Sequence, residues 1–143
     1  MRAVRIALGT DERTPLLGAV RALVESLGHE AVVVADGTPW PQAGASVGRA
    51  VAEGRAEMGI VSCTTGTGVS MAANKVAGVR AALCTDAETA RGARRWNDAN
   101  VLALGLRLTT EAVAAEMVEA FLATPFDPAE GDLVSSLEPA RGS

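Results

Sequence analysis

Residues 63–70 read Cys63-Thr64-Thr65-Gly66-Thr67-Gly68-Val69-Ser70, and the run Met71-Ala-Ala-Asn-Lys75 follows. The apolar segment Met58-Gly-Ile-Val-Ser62 delivers the cysteine to the mouth of this Gly/Thr-rich loop, and a helix is expected to open in the 71–75 region. A thiol at a strand end, facing the backbone N–H groups of a helix N-terminus, can take a proton from a carbon acid. The amides can hold the oxyanion that results. The implied chemistry is proton transfer next to a carbonyl, with no cofactor. Thr65-Gly66-Thr67-Gly68 lacks the lysine spacing of a P-loop and the full dinucleotide pattern, so a nucleotide cofactor is not expected. A single strand-end cysteine is also compatible with plain core packing. The loop that follows Cys63 favours the reactive reading, whereas Cys84 falls inside a strand and reads as structural.

The elements that must position this loop alternate in type. Val4–Leu8 reads as a buried strand closed by Gly9-Thr10-Asp11, and Pro15 opens a helix that runs to about Leu27 before Gly28. Ala31–Val34 is a second strand. Residues 36–44, with Pro39-Trp40-Pro41, read as a loop, and 45–52 as a helix ended by Gly54. Strands follow at Met58–Ser62, Val79–Leu83 and Val101–Leu104. Helices follow at 86–95, with acids early and arginines late, and at 111–123, behind Thr109-Thr110. From Pro125 onward the chain reads as a tail. Strands alternating with helices argue for a doubly wound parallel α/β sheet of five strands. Ligands bind such sheets at the carboxyl ends of the strands. Asp11, Cys63, Asp86 and the 97–100 stretch are assigned to that end.

Composition narrows the function classes. The chain has 143 residues and a formal charge of −4, with 48% apolar and only 3% aromatic residues and no Tyr. That fits one domain with an aliphatic, small-residue core. No basic tract is present, which disfavours nucleic acid and anionic membranes. The N-terminal segment shows no signal-peptide pattern and no run is long enough to span a bilayer, so a cytoplasmic protein with two free thiols is expected.

The chain resembles the ribose-5-phosphate isomerase B / galactose-6-phosphate isomerase family. The resemblance is carried by Gly9-Thr10-Asp11, Cys63-Thr-Thr-Gly-Thr-Gly68, Ala72-Ala-Asn-Lys75, Val79-Arg-Ala-Ala-Leu-Cys84, Thr89-Ala-Arg91 and Asn97-Asp-Ala-Asn-Val-Leu-Ala-Leu-Gly105 with Arg107. It covers about residues 1–126, leaving 127–143 as a tail that is loose or packed on a neighbouring subunit. The resemblance implies a single Rossmann-like domain that forms a homodimer or a dimer of dimers, with active sites at the subunit interface. It implies aldose–ketose interconversion of a sugar or sugar phosphate through a cis-enediolate, without a metal. Cys63 matches the base and Thr65 a residue that supports it. The loop Thr64–Ser70, hence Gly66, Thr67, Gly68, Val69 and Ser70, matches the amides that hold the enediolate. Asp11 and Asn97 match binders of sugar hydroxyls, and Arg107 a binder of phosphate.

The departures from the family pattern bear on the substrate. Glu12 and Trp96 stand where the family carries histidines, the second of which opens the sugar ring. The lone histidine, His29, falls in a turn at the opposite end of the sheet, where a solvated role is expected. Glu130 and Val134 stand where the family carries phosphate-binding arginines, and a carboxylate there would repel a phosphate. Arg13 and Arg107 remain as cations, while Arg141 reads as tail and Arg91, Arg94 and Arg95 as a solvated helix end. Trp40 replaces a tyrosine and, with Trp96, offers an indole to the site. Asp11 is alternatively a helix cap, and Glu12 either loop filler or a replacement acid/base. The leading expectation is an aldose–ketose isomerase using Cys63, on a polyol-like substrate that lacks a phosphate, carries another anionic group, or arrives open-chain. An ordinary pentose- or tetrose-phosphate isomerase and a non-catalytic sugar-binding or auxiliary subunit are the alternatives.

Overall fold

Apolar segments and capped segments alternate down the chain, and they fold in that order. The computed structural model describes residues 2–138. It runs β1 (Arg5–Thr10), α1 (Pro15–Ser26), β2 (Glu30–Asp36), α2 (Trp40–Ala52), β3 (Met58–Cys63) and α3 (Thr67–Asn74). There follow β4 (Ala81–Leu83), α4 (Ala87–Asn97), β5 (Val101–Gly105), α5 (Glu111–Ala123), a 3-10 turn (Pro128–Glu130) and α6 (Gly131–Ser135). The five strands form one sheet in the order β2-β1-β3-β5-β4, with every pairing parallel. This is the doubly wound α/β sheet that the alternation predicts.

The strands are buried on both sides, and their side chains sort by alternation. Ile6, Leu8, Ile60, Leu102 and Leu104 face one layer, packing with Leu16, Val20 and Val24 of α1 and with Met117 and Phe121 of α5. Ala7, Val61, Cys63, Val101 and Ala103 face the other, against Val47 of α2 and Val69 and Ala73 of α3. The second layer is built for close approach. A Cβ on Gly9 would lie 2.7 Å from Val47 Cγ2, and one on Gly59 would lie 2.4 Å from Val47 Cγ1. A Cβ on Gly44 would lie 2.6 Å from both Ala72 Cβ and the Val69 carbonyl oxygen. The small residues and scarce aromatics therefore have a packing cause: α2 rests on β1 and β3 through Val47, and α3 rests on α2 through Gly44.

Several elements differ from the sequence reading. Helix α2 starts at Trp40, not residue 45, because Pro39 serves as its N-cap and Pro41 sits in the first turn, where a missing N–H costs nothing. Helix α3 starts at Thr67, so the loop after Cys63 is only Thr64–Gly66. Arg94 is buried rather than solvated: its guanidinium donates to Asp98 at 3.0 Å and to the Ala99 carbonyl at 2.7 Å, and lies over the Phe121 ring. Arg91 pairs with Glu88 on the surface. His29 does lie at the amino end of the sheet, but it is buried, its Nδ1 accepting the Val4 N–H at 3.1 Å. Within 127–138 the chain forms the 3-10 turn and α6, and Glu138 pairs with Arg80 at 2.9 Å. Arg141 lies outside the described residues.

Two glycine substitutions test this packing in opposite directions. Gly44→Ala forces α2 off α3 and lowers the urea-unfolding free energy by about 1–3 kcal/mol. Gly18, on the exposed face of α1 with open space around it, gains about 0.5–1 kcal/mol as Gly18→Ala. Equal shifts in the two variants would contradict the packing account.

Candidate active site

In the sheet order, β1 leads outward to β2 on one side while β3 leads toward β5 and β4 on the other. The crevice at such a reversal, above the carboxyl ends of the two strands, is where this architecture binds ligands. Thr10 of β1 is in register with Ser62 of β3, and Cys63 with Gly105 of β5. Asp11 and Glu12 leave β1 at this reversal and Cys63 ends β3 there.

The thiol is buried, 6% exposed, and its sulfur accepts the Gly66 N–H at 3.2 Å. Gly66 is the N-cap of α3 and has φ +80°, a left-handed conformation suited to glycine. No side chain caps α3. Its first-turn amides therefore have no capping side chain and point, with the helix dipole, at the mouth beside Cys63. Thr65, expected to support the cysteine, instead pairs its hydroxyl with that of Thr67 at 2.8 Å. Thr67, Gly68, Val69 and Ser70 are helical, and Trp40 lies against Gly68, where a Cβ would come within 2.9 Å of the indole. Cys84 differs: it is buried behind β4, and burial together with the neighbouring Asp86 carboxylate pushes its pKa from 9.0 to about 11.

Hydroxyls link β1 to β3 around the thiol. Ser62 Oγ donates to Thr10 Oγ1 at 2.9 Å in a buried contact, and Thr10 Oγ1 donates to the Glu12 carbonyl at 2.7 Å. Asp11 N–H donates to the Ser62 carbonyl at 2.9 Å, and the Thr64 hydroxyl donates to the Glu12 carboxylate. Thr14, not Asp11, caps α1, which leaves the Asp11 carboxylate at the mouth. Arg13 is turned aside: its Nε donates to the Asp36 carbonyl at 3.3 Å and stands 3.8 Å from the Asp36 carboxylate. Arg107 is joined to the site by its backbone, N–H to the Thr64 carbonyl at 2.9 Å, with its side chain exposed. Thr10, Ser62 and Thr64 carry no motif of their own. Their signal in the sequence is hydroxyls at the carboxyl ends of two strands that become neighbours only in the folded sheet.

Asn97 and Trp96 are not at this end. They close α4, which runs from the carboxyl end of β4 back toward the amino end of β5. Asn97 lines a cleft of ≈ 570 Å³ with Lys75, Gly78, Arg80 and Glu138 at the amino end, and Trp96 folds back on Gly92 of its own helix. Asn100 is a structural clip there, accepting the Arg80 N–H at 2.7 Å and donating to the Gly78 carbonyl at 3.0 Å. The assignment of 97–100 to the carboxyl end is therefore corrected. Those residues precede β5, so the sheet's length separates them from Cys63 in one subunit, about 17 Å for five residues.

The family model described as Ribose/Galactose Isomerase matches residues 6–134. The chain belongs to the ribose/galactose isomerase family. It is 35% identical over 130 residues to the galactose-6-phosphate isomerase subunit LacB of Clostridium acetobutylicum, covering 86% of this chain and 74% of that one. It is 41% identical over 90 residues to ribose-5-phosphate isomerase B of Escherichia coli, covering 63% of this chain and 60% of that enzyme. Among solved structures, ribose-5-phosphate isomerase B of Clostridium thermocellum superposes with a TM-score of 0.88 at 34% identity, over 93% of this chain and 94% of that one. The type B enzyme of Trypanosoma brucei gives 0.89 at 36% identity, over 95% and 97%. This family member has no helix among its described residues long and apolar enough to cross a membrane.

The two thiols of this isomerase-family chain should separate under alkylation. Iodoacetamide at pH 8, followed by peptide mass spectrometry, is expected to modify Cys63 while Cys84 stays largely unmodified until the pH approaches 11. Equal labelling at pH 8 would contradict the raised pKa of Cys84.

Proposed function

We propose that this chain, an aldose–ketose isomerase of the ribose/galactose family, works through a cis-enediolate with Cys63 as the carbon base. The observation that carries the reading is the Gly66 N–H on the Cys63 sulfur, set beside an uncapped helix N-terminus at the strand-order reversal. The thiolate removes the proton from C2, the first-turn amides of α3 hold the negative oxygen, and the thiol returns the proton to C1. Asp11 hydrogen-bonds substrate hydroxyls. Asn97 and Trp96 serve a site only from a second copy, so a homodimer with shared active sites fits this reading, with Trp40 supplying an apolar wall from the same subunit.

For the substrate, the charges at the mouth support a sugar without the usual phosphate. Two carboxylates, Asp11 and Glu12, stand there, Arg13 leans on Asp36, and Arg107 is the cation left over. Glu130, where the resemblance implies an arginine, sits on the 3-10 turn that packs by the end of α4, so like Asn97 it would bring its negative charge to a site only from a second copy. A second reading, an ordinary pentose- or tetrose-phosphate isomerase, is favoured by the relatives, whose names specify ribose 5-phosphate and galactose 6-phosphate.

Proton NMR in D₂O with free and phosphorylated tetroses, pentoses and hexoses tests both parts. Deuterium should enter at C2, and Cys63→Ala should lower that exchange by about 10²–10⁴-fold, the usual worth of a positioned acid/base. Exchange that persists in Cys63→Ala would sink the mechanism. Ribose 5-phosphate outrunning every free sugar would select the second reading.

A further inference from the structure

Isomerising an aldose to a ketose moves two protons, one from C2 to C1 and one from O2 to O1. A single thiol accounts for the first. We propose that Glu12 carries the second, as the oxygen acid/base that works beside Cys63, with Thr64 as its positioning residue. The proposal rests on the isomerase reading given above and extends it to a residue and a step.

Three contacts hold Glu12 to the two residues that flank Cys63. Its carbonyl accepts the Thr10 hydroxyl, which in turn accepts the Ser62 hydroxyl. Its carboxylate accepts the Thr64 hydroxyl. Backbone and side chain are thus fixed separately, one to the residue before the thiol and one to the residue after it. Thr64 occupies one oxygen of the carboxylate, and among the described residues Glu12 makes no ion pair. The second oxygen is free to exchange a proton. At the same ends of the strands the chain carries Asp11 and Arg13 in the loop of Glu12, Asp36 at the end of β2, Cys63 at the end of β3 and Arg107 after β5. Arg13 is engaged by Asp36, and among the described residues the Asp11 side chain makes no ion pair. The only histidine is buried at the opposite end of the sheet.

The step balances. Cys63 thiolate takes the C2 proton, the C2–H electron pair becomes the C1–C2 double bond, and the carbonyl π pair moves onto O1. Glu12 carboxylate takes the O2 proton and delivers it to O1, which leaves the negative charge on O2, and that O2 pair forms the C2–O2 double bond in the same step in which C1 is protonated. The C1–C2 π pair then takes the proton back from the Cys63 thiol at C1. Both side chains end in the states in which they began, and no oxidant, reductant or metal is needed.

The variant Glu12→Gln keeps the hydrogen-bond acceptor for Thr64 and removes the proton shuttle. In D₂O, with the free and phosphorylated tetrose, pentose and hexose panel, it should still wash deuterium into C2 through Cys63. Its net conversion should fall by about 10²-fold or more, so the ratio of exchange to isomerisation rises by the same factor. Thr64→Val should raise that ratio by a smaller amount and Thr64→Ser restore it, which a merely structural hydroxyl would not do. Exchange and isomerisation falling together in Glu12→Gln, or neither falling, overturns the proposal. Loss of the isomerase reading looks different: it is exchange that survives Cys63→Ala.

Discussion

The passage from β3 into α3 runs through Gly66, and the rest of the site depends on it. The residue is left-handed, and a Cβ there would lie 2.5 Å from Leu83 Cδ1, 2.8 Å from the Leu104 carbonyl carbon and 2.9 Å from the Gly105 nitrogen. Conformation and space both require a glycine. Without a side chain at 66 the turn lies flat on the end of β5, α3 begins at the next residue, and the Gly66 amide is turned onto the sulfur of Cys63. Gly105 answers from the other side, since a Cβ on it would lie 2.5 Å from the Thr65 carbonyl oxygen. Two glycines packed on one turn thus set where the thiol sits relative to the helix amides.

The same economy of volume runs under the site. Val47 of α2 fills the space left by Gly9 and Gly59 on two adjacent strands. Gly44 and Gly48 let α3 close on α2, the Gly48 Cβ position lying 3.2 Å from the Ala73 carbonyl. Trp40 at the start of α2 then reaches across to Gly68 at the start of α3. Helix α2 is consequently the common support of the strand that carries the thiol and of the helix that presents the amides. Interiors packed to this density move as blocks, so a methyl group inserted between α2 and α3 is felt at the mouth.

Much of this was legible before folding. The alternation of elements, the thiol at a strand end and the loop behind it follow from apolar runs, glycines and spacing. The helix starts at Trp40 and Thr67 were not, because a proline and a glycine stand at their N-caps and neither supplies the side-chain oxygen by which a start is read. Arg94 looked solvated because its helix is polar in composition. Its partners, Asp98, the Ala99 and Thr124 carbonyls and the Phe121 ring, come mainly from segments beyond its own helix. His29 looked like a solvated turn residue because the Val4 amide that satisfies it lies 25 residues away. Asn97 was placed at the wrong end because a polar cluster next to a strand says nothing about which end of the strand it precedes. The hydroxyl chain from Ser62 to Glu12 depends on β1 pairing with β3, a fact of topology that local pattern does not contain.

That topology also constrains what can reach the thiol. Helix α4 is 11 residues long, about 16 Å at the usual rise, and it spends that length travelling away from the carboxyl ends of the strands. A group that meets Cys63 within one subunit must therefore come from the carboxyl ends themselves. Those ends offer hydroxyls, amides, the carboxylates of Asp11 and Glu12, and few cations. At an effective dielectric of about 20, a carboxylate about 5 Å from a phosphate charge costs about 3 kcal/mol. A neutral polyol pays nothing comparable, and its hydroxyls donate to the same carboxylates. The proposed proton shuttle on oxygen and the proposed preference for a substrate without a phosphate thus rest on one feature, which strands end where.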